Sequence, residues 1–227
     1  MIDFLSSRLN MVFDMLPKEA SSRKRVIDVG SDHGLFSLAC LQTFDDVFCV
    51  CTDIHELPAK RTQQCLEENG YGLRVEVHNV DGLEGITLIP GDTIVMSGLG
   101  GNNIIHILHK VIPRTPIEVL KSVTFVLQPQ KTFDGVRRFL TRNGFDIEDE
   151  VTCVDSKLHY FCIRSVFSGN AHELSSKDAF YGPILCKKFS QGDKDVRVYF
   201  DYLNKKYSYK SRSNNELRSL MEKEGLL

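Results

Sequence analysis

The spacing of apolar residues changes period along the chain, and each change marks an element. Phe4, Leu5, Leu9, Val12 and Leu16 recur near every 3.6 residues, so residues 3–16 read as a helix that Pro17 ends. Short apolar runs of strand length follow: RVIDV (25–29), VFCVCTD (47–53), RVEVHNVD (74–81), DTIVMSG (92–98) and SVTFVLQP (122–129). Helices are expected between them, from Leu35 to Thr43, from Pro58 to Asn69-Gly70, and after Gly101. A further helix runs from Phe133 to Arg142, where Asn143-Gly144 stops it. FDIEDEVTCV and LHYFCIRSV, joined by Asp155-Ser156-Lys157, read as an antiparallel hairpin.

Five β-α units and a hairpin specify an α/β fold, a mostly parallel seven-stranded sheet with helices on both faces and a closing antiparallel hairpin. That closure is a feature of the Rossmann-like class I methyltransferase sheet, and a dinucleotide dehydrogenase lacks it. The small polar stretch SGNAHELSSK (168–177) is the best candidate linker. It divides the chain into a sheet domain, residues 1–167, and a small C-terminal helical extension, residues 168–227. Within the extension, residues 183–189, 196–203 and 216–224 are helical candidates. No internal repeat is found.

A length of 227 residues allows one full core and a small appendage. No run approaches the ~18 apolar residues of a membrane span. The N-terminal stretch has no basic leader or Arg-rich transit pattern, so a cytoplasmic protein without membrane association is expected. The seven cysteines include no CxxC pair, and Cys49, Cys51 and Cys162 lie in apolar strands. They read as buried thiols of a reducing compartment. Cys49 and Cys51 share a strand face, but no partner pair follows at zinc-site spacing, so no metal is expected. The net charge of −2 argues against a strongly basic nucleic-acid binder. Its distribution is uneven, however. Residues 177–227 carry 11 Lys and Arg against 7 acids, whereas the preceding part carries 17 against 23.

The candidate chemistry gathers at strand ends, where an open parallel sheet binds ligands. Strand 1 runs into Gly30-Ser31-Asp32-His33-Gly34, with Asp28 just before it. A pyrophosphate loop uses backbone N–H groups and avoids carboxylates, yet Asp32 stands where a dinucleotide fingerprint carries its second glycine. The ligand expected is cationic or zwitterionic, and S-adenosylmethionine fits that description. Asp53, 23 residues after Gly30, is placed to accept from both ribose hydroxyls. Asp81-Gly82 could accept from an adenine amino group. Each such Asp also reads as a turn or helix cap. His33 is either a turn histidine or a ligand contact. After strand 4, Ser97-Gly98-Leu99-Gly100-Gly101 lacks the Asn/Asp-Pro-Pro-Tyr/Phe of DNA amino-methyltransferases, and its glycines would let a flat base lie against the main chain; a simple tight turn is the plainer reading. Gln128-Pro129 ends strand 5. In the tail Lys194, Arg197, Lys205, Lys206, Lys210 and Arg212 interleave with Tyr199, Phe200, Tyr202, Tyr207 and Tyr209. This pattern suits phosphates and bases, and equally a charged helical hairpin.

Together these residues resemble the bacterial tRNA (adenine-N1)-methyltransferase family that modifies adenosine 22. The resemblance rests on Leu5-Ser6-Ser7-Arg8-Leu9, Asp28-Val29-Gly30-Ser31-Asp32-His33, Asp81-Gly82-Leu83-Glu84, Gly98-Leu99-Gly100-Gly101, Leu127-Gln128-Pro129 and Gly182-Pro183. It implies S-adenosyl-L-methionine as cofactor, tRNA as partner and a coiled-coil-like tail that helps hold tRNA; separately, a monomer is expected. Asp32 would be catalytic and face the target adenine. Asp28, Gly30, Ser31, His33, Asp53, Ile54, Asp81, Gly82, Ser97 and Gly98 would lie on the cofactor side. Arg8, Leu99, Gly100, Gly101, Gln128, Pro129, Lys205 and Lys206 would lie on the substrate side. The chain departs from the family at Gln130 (usually Asn), Asp53 (typically Glu), His159-Tyr160 (often Tyr-Glu) and Gly34-Leu35 (frequently Ala-Tyr). An NAD-binding oxidoreductase, an inactive methyltransferase-like RNA-binding module and a small-molecule methyltransferase are the competing classes.

Overall fold

In the computed structural model, which describes residues 2–18 and 25–211, the parallel strands are β1 (Arg25–Val29), β2 (Phe48–Asp53), β3 (Val75–Asn79), β4 (Asp92–Ser97) and β5 (Thr124–Gln128). The hairpin strands are β6 (Phe145–Asp155) and β7 (Leu158–Phe167). Spatial order is β3-β2-β1-β4-β5-β7-β6, with β7 antiparallel to both neighbours. The expected seven-stranded sheet and closing hairpin are present. Strand order reverses between β1 and β4, so the loops after these two strands part there and leave a crevice.

Alternation along the strands gives each face its own core. Ile27, Val29, Ile94, Met96, Phe125 and Leu127 meet α4 (Gly101–Val111) and α6 (Phe133–Arg142). Val26, Cys49, Cys51, Val95 and Val126 pack under α1 (Ser7–Asp14), α2 (Leu35–Thr43) and α3 (Glu56–Glu68). Cys49, Cys51 and Cys162 are buried and unbridged, as strand-borne thiols in an apolar core should be. The C-terminal helices α7 (Ser176–Tyr181), α8 (Pro183–Ser190) and α9 (Lys194–Ser211) join the first of these cores through Phe180, Leu185, Tyr199 and Leu203.

The hairpin is longer than the sheet it closes. Leu127 pairs with Ile163, one residue before β5 ends, so residues 158–162 and their partners run on past the rim. At roughly 3.3 Å per residue this makes an arm of about 15 Å. Its turn, Ser156-Lys157, has φ of 49° and 68°, the twist that two-residue hairpin loops need.

Several element ends differ from the sequence expectation for local reasons. The first helix starts at Ser7, because the Ser6 hydroxyl accepts from Leu9 N and caps it there. The third starts at Glu56, two residues before Pro58, which still falls in the first turn where no N–H is needed. A four-residue helix, α5 (Ile117–Leu120), is too short to carry a period. Residues 168–175 are held along α6: His172 N donates to Thr141 O at 2.9 Å, Arg138 Nη1 to Leu174 O at 3.1 Å, and Arg142 pairs with Glu173 at 2.7 Å. The candidate helix at 216–224 lies outside the described residues.

Candidate active site at the switch point of the sheet

The turn after β1 forms because its backbone is held by the neighbouring strand. Gly30 N and Ser31 N both donate to Thr52 O, at 2.8 and 3.1 Å. Gly30 has φ +78°, and a Cβ there would sit 3.1 Å from the Leu99 side chain. Only glycine lets the two loops approach this closely. Asp32 follows with φ 50°, an uncommon left-handed conformation for a residue with a side chain. Its carboxylate is 62% exposed and lies 3.5 Å from His33 Nε2.

Between the two loops is a cavity of about 400 Å³. Of the expected residues it brings together Arg8, Asp28, Gly30, Ser31, Asp32, His33, Ser97, Gly98 and Leu99. Leu9, Leu35, Phe36 and Gln130 also line it. Leu9 and Phe36 were hidden in the helix pattern as core positions, and the sequence signal for Gln130 is its place directly after Gln128-Pro129.

The cavity is anionic. Asp28 is buried, and burial pushes its carboxyl up to about 6; the Ser37 hydroxyl, donating at 2.9 Å, opposes the shift and the charge of Asp53 adds to it. Asp53 is also buried: Oδ1 accepts from His55 N at 2.8 Å, and Oδ2 faces Asp32 N at 3.4 Å. Both oxygens thus accept from backbone N–H groups, and Asp53 sits behind the cavity lining rather than in it. The cation lining the cavity, Arg8, is already engaged. Its Nη1 donates to Ser97 Oγ at 2.6 Å and Gln128 Oε1 at 3.1 Å, and its guanidinium lies 5.9 Å from the Tyr160 ring centroid. Gln128 Oε1 also accepts from Gly98 N at 3.0 Å. This network locks α1 to the loop after β4.

Other expected residues stand apart from the cavity. Asp81 pairs with Lys110 Nζ at 3.0 Å. A Cβ on Gly82 would fall 2.6 Å from Ile107, so close packing of α4 already explains that glycine. Ile54 is 59% exposed beyond the lining. Gly100 precedes α4 and has open space around it, while Gly101 is buried and donates to Lys131 O at 3.0 Å. Gln128 and Pro129 are buried behind the rim. Lys205 and Lys206 lie on α9, on the other side of the hairpin arm. The tail aromatics divide: Tyr199 and Phe200 are core, and Tyr202 is half-buried. The side chains of Tyr209, Lys210 and Arg212 lie outside the described residues. Among the described residues, no three His, Cys, Asp or Glu are grouped to hold a metal, and no helix is long and apolar enough to cross a membrane.

Residues 5–163, the sheet up to β7 with both cavity loops, match a family described as a methyltransferase domain. The chain belongs to that family. A tRNA (adenine(22)-N(1))-methyltransferase of Bacillus subtilis is 26% identical over 195 residues, covering 81% of this chain and 76% of that one. The crystal structure of the B. subtilis M1A22 tRNA methyltransferase TrmK superposes with a TM-score of 0.80 at 20% identity, covering 98% and 96% of the two chains. M. capricolum TrmK, in complex with the cofactor product S-adenosyl-homocysteine, gives 0.76 at 16% identity over 98% and 95%. At such identities the superpositions speak for the fold. They extend over nearly the whole methyltransferase chain, C-terminal helices included.

Proposed function

We propose that this chain is an S-adenosylmethionine-dependent tRNA methyltransferase that acts on nitrogen 1 of adenosine 22. The carrying observation is the cavity at the switch point, lined by the carboxylates of Asp28 and Asp32 with Asp53 behind Asp32 N, and by an Arg8 held in place by Ser97 and Gln128. Such a site repels a diphosphate and suits a ligand with a sulfonium and an ammonium group. The B. subtilis relative named for this reaction supports the choice of substrate, since the likeness spans most of both chains.

The residues present fit the cofactor. Asp28, Gly30, Ser31 and His33 would hold its amino acid end, and Asp53, beside Ile54, its ribose hydroxyls. Asp81 and Gly82 would take the adenine edge only once Asp81 leaves Lys110, with Ser97 and Gly98 closing the floor. Bound there, S-adenosylmethionine supplies an electrophilic methyl group. Adenine N1 carries an in-plane lone pair, so no base has to remove a proton first. What the protein supplies is alignment and tolerance of positive charge on the ring. Asp32, exposed at the mouth and held in a left-handed conformation, would accept from the exocyclic amine and stabilise that charge. Leu99, Gly100 and Gly101 would give the base a flat main-chain surface, with Gln128 and Pro129 behind it. Arg8 fixes that surface through Ser97 and Gln128. Lys205 and Lys206 of the extension, residues 168–227, would meet tRNA phosphates. The base must leave its stack to enter. The protein would work in the cytoplasm as a monomer.

Two measurements test this reading. Calorimetry should show binding of S-adenosylmethionine and none of NAD. Asp32→Ala should keep cofactor affinity and lose most methyl transfer to tRNA in a single turnover. Equal single-turnover rates would remove Asp32 from the chemistry.

A further inference from the structure

A second cavity lies on the far side of the hairpin arm. It measures about 300 Å³ and is lined by Thr152, Val154, His159, Asp195, Val198 and Tyr199. Strand alternation separates it from the active site: Tyr160 turns toward Arg8, and its neighbour His159 turns the other way, onto α9. There the His159 and Tyr202 rings stack at 4.3 Å with an interplanar angle of 15°. Lys206 Nζ sits at the edge of the Tyr202 ring, donating to its hydroxyl at 2.9 Å and 5.1 Å from its centroid. Asp195, Val198, Tyr202 and Lys206 follow one another at steps of three and four residues, so a single stripe of α9 carries a carboxylate, an apolar wall, a ring and a cation.

We propose that this stacked pair and the cavity form a binding site for a second nucleobase, one that flanks the target and carries an exocyclic amino group. The inference rests on the tRNA substrate proposed above. The base would stack on His159 and extend the Tyr202–His159 pair, between the apolar walls Val154 and Val198. Both valines are 49% exposed, so they offer apolar contact surface at the rim. Asp195 would accept from the amino group, and Lys206 would meet the phosphate. Burial lowers the pKa of the His159 imidazole, which keeps the ring neutral and its face suited to stacking. With the target base on the Arg8 side, the arm tipped by Leu158 would stand between the two bases like a wedge.

The test places 2-aminopurine, a fluorescent purine with an exocyclic amine, at each nucleotide flanking position 22 of a tRNA transcript. The protein has no Trp, so its own emission does not interfere. Binding should quench the probe at one flanking position. His159→Ala and Val198→Glu should abolish the quench and raise KM for tRNA about tenfold, the scale of one lost base stack, with kcat and cofactor affinity within about twofold. His159→Phe, which keeps an aromatic face, should restore the quench. Asp195→Asn should weaken it for 2-aminopurine and spare a probe without the amine. Absence of any quench in the wild type, or an unchanged quench in both disrupting variants, overturns the site. Methyl transfer is read in the same samples. Transfer without quenching leaves the enzyme reading intact and removes the second site; quenching lost in the variants, without transfer, supports the site and removes the proposed activity.

Discussion

Asp28 links the chemistry of the cavity to the stability of the fold. Its carboxyl, held at about 6 by burial, keeps a proton that the unfolded chain has lost. Between the ordinary Asp value and about pH 6 the native state therefore binds more protons, and stability falls as pH rises through that window. The contribution is on the order of 3 kcal/mol, present in full below the unfolded value and gone above the folded one. Urea unfolding of wild type should show this loss between pH 4 and 7, and Asp28→Asn should flatten it. A ligand ammonium favours the ionised form. Cofactor affinity should accordingly drop about tenfold from pH 7 to pH 5, with proton release on binding near pH 6. The sequence offers both Asp28 and Asp32 as candidates. It does not tell that the first is buried against Ser37 and the second exposed, because that difference depends on which strand face meets α2.

At the scale of elements, Arg8 carries the coupling between α1 and the loop after β4. Arg8→Ala leaves Ser97 Oγ without its donor and Gln128 Oε1 with Gly98 N alone, at about 1–3 kcal/mol of stability. KM for tRNA should rise, because the surface formed by Leu99 and Gly100 loses its brace. Arg8→Lys should recover only part, since an ammonium lacks the planar fork. Melting curves and steady-state kinetics on the same variants check both statements. Elements bounded by strong local signals are legible in the sequence: α2 and α6 run Leu35–Thr43 and Phe133–Arg142 as expected, and the hairpin turn lies at Ser156-Lys157. Elements decided by a single cap or by tertiary packing are not. The Ser6 cap moves the start of α1, and Lys110 draws Asp81 away from the cavity. Gln130 follows Gln128-Pro129 in sequence, but its place in the lining depends on the shape of the loop after β5.

Across the whole molecule, one buried ion pair ties the C-terminal helices to the sheet. Arg137 Nε meets Glu150 Oε1 at 2.7 Å, both side chains fully buried. Arg137 Nη1 also donates to the Ala179 and Phe180 carbonyls, and Glu150 Oε2 accepts from Ile184 N and Leu185 N at the start of α8. Arg137 Nη2 is buried without a hydrogen-bond partner, and the guanidinium lies 4.5 Å from the Phe161 ring centroid; the bonds made by Nε and Nη1 hold α7 and α8 against β6 and α6. Glu150→Ala should cost about 3–5 kcal/mol by leaving the guanidinium buried without its partner. The double variant Arg137→Met with Glu150→Leu should recover much of that in urea unfolding, because the charge and its desolvation leave together. The same packing carries α9 along the arm, on the face opposite Arg8.

The proposed reaction is transfer of a methyl group, in the carboxylate-lined cavity, to an adenine ring nitrogen in tRNA. Its most direct test is incubation of the full chain with isotope-labelled S-adenosylmethionine and unmodified tRNA, followed by mass spectrometry of the nucleosides. Labelled 1-methyladenosine is expected, dependent on an adenosine at position 22 and lost with Asp32→Ala. A protein that binds cofactor and tRNA yet yields no labelled nucleoside, or yields one methylated elsewhere, would contradict it.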